Sequence, residues 1–246
     1  MTRSKLFHVA ASLLMLSLFL VALPTSAKTR RSKHRPLKRA ELKQAESRLA
    51  EMGYRPGRVD GVIDGDTRSA LVLFQKWEGR KLTGQLNRAE FDAIVNAEAP
   101  QARDSGYRHV EVDLDRQVLL LTDDEGAVTR ILPVSTGSNK RYNENGIRGL
   151  AYTPTGRFRI YAKISGWRKS PLGLLYYPNY FSDGLAIHGN PSVPNSPQSH
   201  GCIRIPMSAA VEMSKELPIG SILLIYDSQS FVSAKEWAEA DKKKGF

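Results

Sequence analysis

The stretch HVEVDLDRQVLLL, residues 109–121, decides the fold of the larger part of this chain. Alternate positions from Val110 to Leu114 are apolar, which is the period of a β-strand with one buried face. A turn near Asp115 then leads into the apolar run 118–121, which has the length of a short buried strand. The pattern predicts two consecutive strands, and the same period of two returns further along the chain.

Five more short apolar or alternating runs follow this pair. They span 128–134, 158–162, 185–187, 202–205 and 222–226. One helix is predicted from Met207 to Leu217, ended by Pro218 and Gly220. Residues 107–227 are therefore predicted to form a mainly β domain, either a sandwich or a barrel.

The period changes to that of helices before this domain. Apolar residues recur at helical spacing from Leu42 to Met52 and again near Thr67 to Trp77. A third helix is expected after Asn87, whose side chain would cap it in a capping box with Glu90. Residues 38–96 are predicted to be a small three-helix module, joined to the β domain by a polar linker over 97–106. The predicted fold class is thus α+β and multi-domain.

The first 27 residues have the pattern of an export signal. Two basic residues precede the apolar run from Leu6 to Leu23, and small residues at Thr25 and Ala27 fit cleavage after Ala27. The alternative is an uncleaved membrane anchor, because the run is close to the ~20 residues that span a bilayer. In both cases the rest of the chain leaves the cytoplasm, so the expected location is the periplasm or cell envelope.

The net charge of +11 is concentrated near the N-terminus. Basic residues cluster between Lys28 and Arg39, and the body that follows is close to neutral. A nucleic-acid-binding fold would carry its bases across a folded face, so no nucleic-acid partner is expected. Residues 28–37 are predicted to be a basic linker near an anionic envelope surface, and 228–246 a polar C-terminal tail.

The only cysteine, Cys202, lies in a distinctive neighbourhood. It ends the segment Ser199-His200-Gly201-Cys202, and His188-Gly189 lies upstream. A histidine can accept a thiol proton, and the resulting ion pair lowers the pKa of the thiolate. Glycines allow close approach of a substrate, and the N–H groups of Gly201 and Cys202 could form an oxyanion hole. The pattern favours a cysteine nucleophile.

Two other interpretations of these residues remain open, and a third requires a different order of residues. Cys202 could be a small buried apolar residue, and His188 a structural one. Two histidines and a cysteine could also bind zinc, although Asp183 is the only nearby carboxylate for a further ligand. A papain-like protease would place its cysteine near the mature N-terminus and its histidine far downstream, which is the reverse of the order here.

Residues 107–226 resemble the catalytic domain of the L,D-transpeptidases, the YkuD-like family. The matching motifs are Val110-x-Val112-Asp113-Leu114, Val134-Ser135-Thr136-Gly137, Thr153-Pro154-x-Gly156-x-Phe158, Ile187-His188-Gly189 and Ser199-His200-Gly201-Cys202-Ile203-Arg204, closing with Gly220-Ser221-x-Leu223. Residues 38–96 resemble the peptidoglycan-binding-like domain of cell-wall enzymes. Its motifs are Tyr54-x-Pro56-Gly57-x-Val59-Asp60-Gly61, Gly65-x-Thr67-x-x-Ala70, Phe74-Gln75 and Leu82-Thr83-Gly84.

The resemblance implies a role for each residue of the site. Cys202 would attack the carbonyl between the third and fourth residues of a stem peptide, and His188 would be the base. His200 and Ser199 would support the site, and Gly201 would help to form the oxyanion hole. The expected substrate-binding residues are Arg204, Gly189, Tyr177, Tyr180 and Phe181. The three aromatic residues could instead belong to the apolar core, and Arg204 could instead fix the loop that carries Cys202.

The implied reaction is acyl transfer through a thioester, with peptidoglycan as the partner and no metal or other cofactor. A stem amine as acceptor gives a 3–3 cross-link, water removes the terminal D-Ala, a free D-amino acid exchanges it, and a protein amine gives ligation to the wall. The rival from another functional class is a non-catalytic wall-binding protein. In that case the module at 38–96 anchors the chain and the β domain is only a scaffold.

Overall fold

The computed structural model describes residues 35–230. The predicted signal peptide, most of the basic linker and most of the C-terminal tail lie outside these residues. The helices are α1 (Arg39–Glu51), α2 (Gly65–Trp77), α3 (Arg88–Asn96) and α4 (Met207–Glu216). In the part of the chain that is described, no helix has the length and hydrophobicity needed to cross a membrane.

Twelve strands lie between α3 and the end of the described chain. They are β1 (His109–Asp113), β2 (Val118–Thr122), β3 (Val128–Pro133), β4 (Arg141–Glu144), β5 (Ile147–Leu150), β6 (Gly156–Arg159), β7 (Ala162–Lys163), β8 (Trp167–Ser170), β9 (Gly173–Ser182), β10 (Leu185–Asn190), β11 (Ile203–Pro206) and β12 (Ile222–Tyr226). The predicted fold class, a helical module followed by a mainly β domain, is confirmed.

The strands form two main sheets. The first has the order β3-β2-β1-β12-β6, in which only β1 and β12 run parallel. The second has the order β11-β10-β9-β7, with β8 also paired to β9 and with β10 and β11 parallel. Strands β4 and β5 form a separate hairpin. The run 158–162, predicted as one strand, is divided between the two sheets, because the chain crosses from one to the other at Ile160.

One apolar core joins the two sheets and α4. On β2, Leu119 and Leu121 contribute to this core, where they meet Ile187 and Ile203 from the second sheet. Met213 of α4 belongs to the same cluster. The alternation of the strands places every second residue in this core, so the domain is a sandwich, one of the two architectures that the sequence allowed.

The first sheet is also buried on its opposite face. There Val118, Leu120 and Ile131 join the apolar cluster of the helical module, which includes Leu49 and Phe74. A sheet covered on both faces needs apolar residues at consecutive positions, as in buried parallel sheets. Burial on both faces explains why apolar and polar residues do not alternate over 118–121. The helical module and the second sheet thus pack on opposite faces of the same first sheet.

Side chains fix the turns of the helical module. Asp64 caps α2 by accepting a hydrogen bond from the N–H of Thr67 at 2.9 Å, and Asn87 caps α3 by accepting one from Glu90 at 3.0 Å. The carboxylate of Glu90 does not complete the predicted capping box, because it accepts the Nε–H of Arg80 at 3.1 Å instead. The buried carboxylate of Glu46 accepts the Gly61 N–H at 2.8 Å.

The segment 97–106, predicted as a linker, packs on the outer face of the first sheet. The backbone N–H groups of Arg103 and Asp104 donate to the buried carboxylate of Glu111 at 2.8 and 2.9 Å. The Arg103 guanidinium lies 3.8 Å from the ring centroid of Tyr226. These contacts hold the connection between the two parts of the chain against the sheet.

Candidate active site

The two parallel strands β10 and β11 bring the predicted site together. In their register Ile187 lies beside Ile203 and His188 beside Arg204. Because side chains alternate along a strand, the isoleucines enter the core and His188 and Arg204 lie on the other face. Cys202, one residue before β11, lies on that same face. His188, Cys202 and Arg204 all line one cavity of about 470 Å³.

Three further elements complete the walls of this catalytic cavity. The β4–β5 hairpin contributes Tyr142 and Ile147, and the β8–β9 hairpin contributes residues 168–175. The turn after β9 adds residues 183–185. The cavity therefore has a floor formed by β10 and β11 and walls formed by two hairpins and a turn.

His188 is held in one orientation and one tautomer. The residue is 2% exposed, and Nδ1 lies 2.9 Å from the carbonyl oxygen of Gly189. A carbonyl can only accept, so Nδ1 carries the proton and the lone pair is on Nε2. Burial, with a smaller effect of the Arg204 charge, lowers the pKa of His188 to about 4 despite the bond to Gly189. The imidazole is therefore a neutral base near pH 7.

The thiol of Cys202 is held in its protonated form. Burial raises its pKa, while a hydrogen bond from the backbone of Ala186 and the charge of Arg204 act in the opposite direction without reversing the shift. A raised thiol pKa beside a lowered imidazole pKa disfavours the preformed ion pair expected from the sequence. The physical reason is burial, which penalises both charged forms.

Hydrogen bonds fix the loop that carries Cys202. The hydroxyl of Ser199 accepts the Gly201 N–H at 3.0 Å and donates to the Cys202 carbonyl at 2.5 Å. Buried Thr153 donates from its hydroxyl to the Gly201 carbonyl at 2.7 Å. Gly201 has φ of +137°, and a Cβ there would lie 2.7 Å from the Tyr152 carbonyl oxygen, so only glycine fits.

This loop changes one sequence expectation. The Gly201 N–H was expected to help form an oxyanion hole, but it is engaged by the Ser199 hydroxyl. Its geometric function is to close the turn before the thiol. The N–H of Cys202 is then the backbone donor next to the Cys202 sulfur.

His200 interacts with the β4–β5 hairpin. Its Nε2 lies 3.2 Å from a carboxylate oxygen of Glu144, and its ring contacts Tyr142 edge to face at a centroid distance of 4.7 Å. Tyr142, Glu144 and Thr153 were not among the residues predicted for the site. The dipeptide Asn145-Gly146, in which both residues have positive φ, is a hairpin signal that could have identified this wall.

The second wall carries positive charge that was also missed. Arg168 and Lys169 line the cavity, and Arg204 lies across from them on the floor. Burial raises the pKa of Tyr180, and Arg168 and Cys202 are among the groups close enough to affect it. Tyr180 lines the cavity. Tyr177, Tyr180 and Phe181 lie on strand β9, whose hairpin with β8 forms this wall.

Three predicted substrate-binding residues lie elsewhere. Phe181 is in the core, edge to face with Phe158 at 5.4 Å, because neighbours on β9 point to opposite faces and Tyr180 already faces the cavity. Tyr177 packs against the core. Gly189 faces α4, where a Cβ would lie 2.7 Å from the Cβ of Ala210. Close helix packing, and not substrate approach, requires glycine at this position.

The side chains that could ligate a metal are spread around the cavity. Asp183 lines the same cavity as His188, His200 and Cys202. Within residues 35–230, however, no three His, Cys, Asp or Glu side chains converge into a group that could hold a metal ion. His188 pairs instead with backbone, and His200 with a neighbouring carboxylate.

A second and larger groove lies between the helical module and the β domain. It has a volume of about 1200 Å³. Its walls include Arg68 and Ser69 of α2 and Ser208 of α4. Asn190, two residues after His188, lines both this interdomain groove and the catalytic cavity. The two concave surfaces therefore meet at Asn190.

The structure thus combines a β-sandwich, in which a thiol and an imidazole line one cavity, with a helical module that precedes it. Family models agree with both parts. Residues 107–225 match the L,D-transpeptidase catalytic domain, and residues 38–94 match a putative peptidoglycan binding domain. The chain belongs to the L,D-transpeptidase family, and its domains identify peptidoglycan as the substrate partner and the cell envelope as the location.

A solved structure supports this assignment. The L,D-transpeptidase from Xylanimonas cellulosilytica DSM 15894 is 35% identical, with a TM-score of 0.69 over 76% of this chain and 93% of that chain. Two other solved structures are less similar. An L,D-transpeptidase from Stackebrandtia nassauensis is 21% identical, with a TM-score of 0.44 over 79% of this chain and 96% of that one. One from Mycobacterium smegmatis is 21% identical, with a TM-score of 0.40 over 48% and 58%. No curated protein matches the chain.

Proposed function

We propose that this protein is an L,D-transpeptidase that acts through a Cys202 thioester and forms 3–3 cross-links between peptidoglycan stems. One observation carries the proposal. Cys202 and His188 share a cavity in which the Nδ1 of His188 is bound to the Gly189 carbonyl, so that Nε2 is the available base. This is the arrangement that a thiol nucleophile needs.

In the acylation step the thiol proton moves to Nε2 of His188 as the sulfur attacks the carbonyl carbon. That carbonyl joins the third stem residue to the terminal D-Ala. The developing oxyanion accepts a hydrogen bond from the Cys202 N–H. The C–N bond then breaks, His188 returns the proton to the leaving amine, and D-Ala departs. Charge forms only during the reaction, which suits a site where burial keeps both groups neutral.

In the second step a side-chain amine of a neighbouring stem attacks the thioester. The amine gives a proton to His188, the new amide forms, and the proton returns to the sulfur of Cys202. The energy of the broken peptide bond is conserved in the thioester, so no nucleotide is consumed. With water as acceptor the same steps remove D-Ala, with a free D-amino acid they exchange it, and with a protein amine they ligate that protein to the wall.

Charge and shape of the surface support a role for each wall. Arg168, Lys169 and Arg204 give the catalytic cavity a cationic side where the carboxylates of a stem peptide can bind. The interdomain groove, which meets the cavity at Asn190, would hold the glycan strand that carries the stem. The hairpin bearing Glu144 would orient His200 at the rim.

The proposal includes export. The N-terminal signal would be removed after Ala27, leaving a periplasmic or envelope-attached enzyme. N-terminal sequencing of protein recovered from the envelope of the producing cells would then begin at Lys28. A chain that still begins at Met1 or Thr2 would instead support an uncleaved anchor.

The activity is tested with purified protein and a disaccharide-tetrapeptide substrate. Mass spectrometry should detect a dimer linked between third residues, together with one free D-Ala for each bond formed. Cys202→Ala and His188→Gln should give neither product. If the unaltered protein releases no D-Ala and forms no dimer or exchange product, the transpeptidase proposal is wrong and a wall-binding scaffold is the better description.

A further inference from the structure

A continuous set of hydrogen bonds, most of them between buried groups, connects the helical module with Cys202. It starts at Lys76 in the last turn of α2, which is 5% exposed and donates from Nζ to the Gln117 carbonyl at 3.3 Å. Beside it, the Nε–H of Arg116 donates to the Trp77 carbonyl at 3.0 Å, and its guanidinium lies over the Trp77 ring. The end of α2 therefore contacts the β1–β2 turn through two side chains.

Gln117 connects this turn with the strand that supports the catalytic loop. Its side-chain amide donates to the Leu114 carbonyl at 2.7 Å and to the Thr136 hydroxyl at 2.8 Å, and its Oε1 accepts the Thr136 N–H at 3.0 Å. Gln117 is 3% exposed and has φ of +53°, a conformation that costs free energy for a residue with a Cβ. The three side-chain bonds give a physical reason for glutamine at this position.

The connection continues from Thr136 to the thiol. The Thr136 carbonyl accepts the Ser199 N–H at 2.8 Å, and the Ser199 hydroxyl donates to the Cys202 carbonyl at 2.5 Å. Thr136 and Ser199 are each 2% exposed, so water does not replace these bonds readily. The steps from α2 to Ser199 are thus hydrogen bonds between buried groups, and the last bond, from Ser199 to the Cys202 carbonyl, is partly buried.

We infer that Gln117 is a positioning residue for Cys202, and that α2 of the peptidoglycan-binding module holds Gln117 in place. The module is then part of the structure that aligns the nucleophile, in addition to any role in wall binding. The inference rests on the proposed function only for its kinetic readout. A displacement of about 1 Å at a nucleophile can reduce turnover about 10²-fold, so loss of this support should be measurable.

The test compares Gln117→Met with a matched control, Gln75→Met. Gln75 is also fully buried, and its side chain binds the backbone N–H groups of Thr83 and Gly84 inside the module, away from the catalytic loop. Both variants keep side-chain length and lose the polar contacts. At a temperature where both are folded, we expect Gln117→Met to lower kcat by about 10- to 100-fold with KM within about threefold of the original. Gln75→Met should leave kcat unchanged.

A second measurement is independent of transpeptidase turnover. Hydrogen–deuterium exchange measured by mass spectrometry should increase over residues 198–203 in Gln117→Met and stay unchanged there in Gln75→Met. Lys76→Met should increase exchange over 114–117 and lower kcat by a smaller factor. In the double variant Gln117→Met with Ser199→Ala, kcat should be no lower than in the more damaged single variant, because both changes interrupt one connection.

The outcomes for the positioning role and for the proposed function are distinguishable. If the unaltered protein has no turnover, the proposed function fails and the exchange data alone decide the positioning role. Faster exchange over 198–203 in Gln117→Met than in Gln75→Met would support it. Equal exchange over 198–203 in the two glutamine variants, or unchanged kcat in Gln117→Met, would overturn it.

Discussion

The two faces of the first sheet support different parts of the molecule. On the inner face Leu119 and Leu121 pack under the catalytic site, in the same core as Ile187 and Ile203. On the outer face Val118 and Leu120 pack in the core of the helical module. A shift of one residue along β2 thus separates side chains that support the candidate active site from side chains that support the helical module. The comparison shows that the module is built into the β domain and is not merely tethered to it.

The largest effect on activity is expected from substitution of the proposed nucleophile, Cys202. Cys202→Ser should reduce cross-linking by about 10³-fold or more, because the serine hydroxyl is a far poorer nucleophile with a neutral imidazole as its base. The variant should unfold at the same temperature as the original, since the volume change is small. Product analysis and thermal unfolding check both parts. A variant that retains a tenth of the activity would remove Cys202 from the mechanism.

Next in size is the effect of a side chain at Gly201. Gly201→Ala should lower kcat by about 10²-fold, because φ is +137° and the new Cβ would collide with the Tyr152 carbonyl. Gly220→Ala is the matched control, since Gly220 has φ of +93° with open space around it. It should cost some stability and leave kcat intact. Equal activity of the two variants would show that the Gly201 turn does not position the thiol.

A pair of core substitutions tests the shared sheet directly. Leu119→Ala and Leu120→Ala, at two fully buried positions on opposite faces, should each lower the free energy of unfolding by about 2–5 kcal/mol. Each variant should still unfold in one transition, seen by calorimetry and by tryptophan fluorescence together. A separate low-temperature transition in Leu120→Ala alone would mean that the module unfolds independently.

Blocking the interdomain groove should have a smaller and selective effect. Ser69→Trp adds a large ring at an exposed position of this groove and should lower the rate on intact peptidoglycan by about tenfold, equivalent to about 1.4 kcal/mol. The rate on a soluble disaccharide-tetrapeptide should not change. Gln44→Trp, exposed on α1 outside the groove, controls for the added ring. An equal loss on both substrates in Ser69→Trp would contradict a glycan path.

The smallest expected effect concerns pH. The base form of His188 exists above its pKa, and burial lowers that pKa to about 4. The kcat/KM for a stem peptide should therefore be nearly constant from about pH 7 down to about 5.5 and should fall as the pH drops through about 4. A histidine with its ordinary pKa of about 6.5 would already lose most activity at about pH 5.5. If kcat/KM is half-maximal near the ordinary histidine pKa of about 6.5, burial does not lower the pKa of His188 as described.

Local patterns made much of the fold predictable. The period of two from Val110 to Leu114 and the helical period in the module predicted both element types, and Asn87 was correctly identified as a cap. The predictions that failed concerned residues whose placement depends on contacts with distant parts of the chain. Tyr180 and Phe181 could not be assigned to opposite faces until 173–182 was known to be a strand.

The same distinction holds for the site. The Ser199-to-Cys202 motif with His188 upstream selected the candidate residues, and the parallel strands β10 and β11 bring His188, Ser199 and Cys202 to one cavity. The opposed pKa shifts of Cys202 and His188 depend on burial, which no spacing reveals. The link from Lys76 to Gln117 joins segments 41 positions apart, and it exists only because the module packs on the sheet.

The most direct test of the account is to trap the acyl-enzyme. Purified protein would be mixed with a disaccharide-tetrapeptide, quenched in acid within the first turnovers and examined by intact-protein mass spectrometry. The account predicts an added mass equal to the substrate minus D-Ala, mapped by digestion to Cys202 and absent in Cys202→Ala. Active protein that shows no such adduct, or carries it on another residue, would contradict the thioester mechanism.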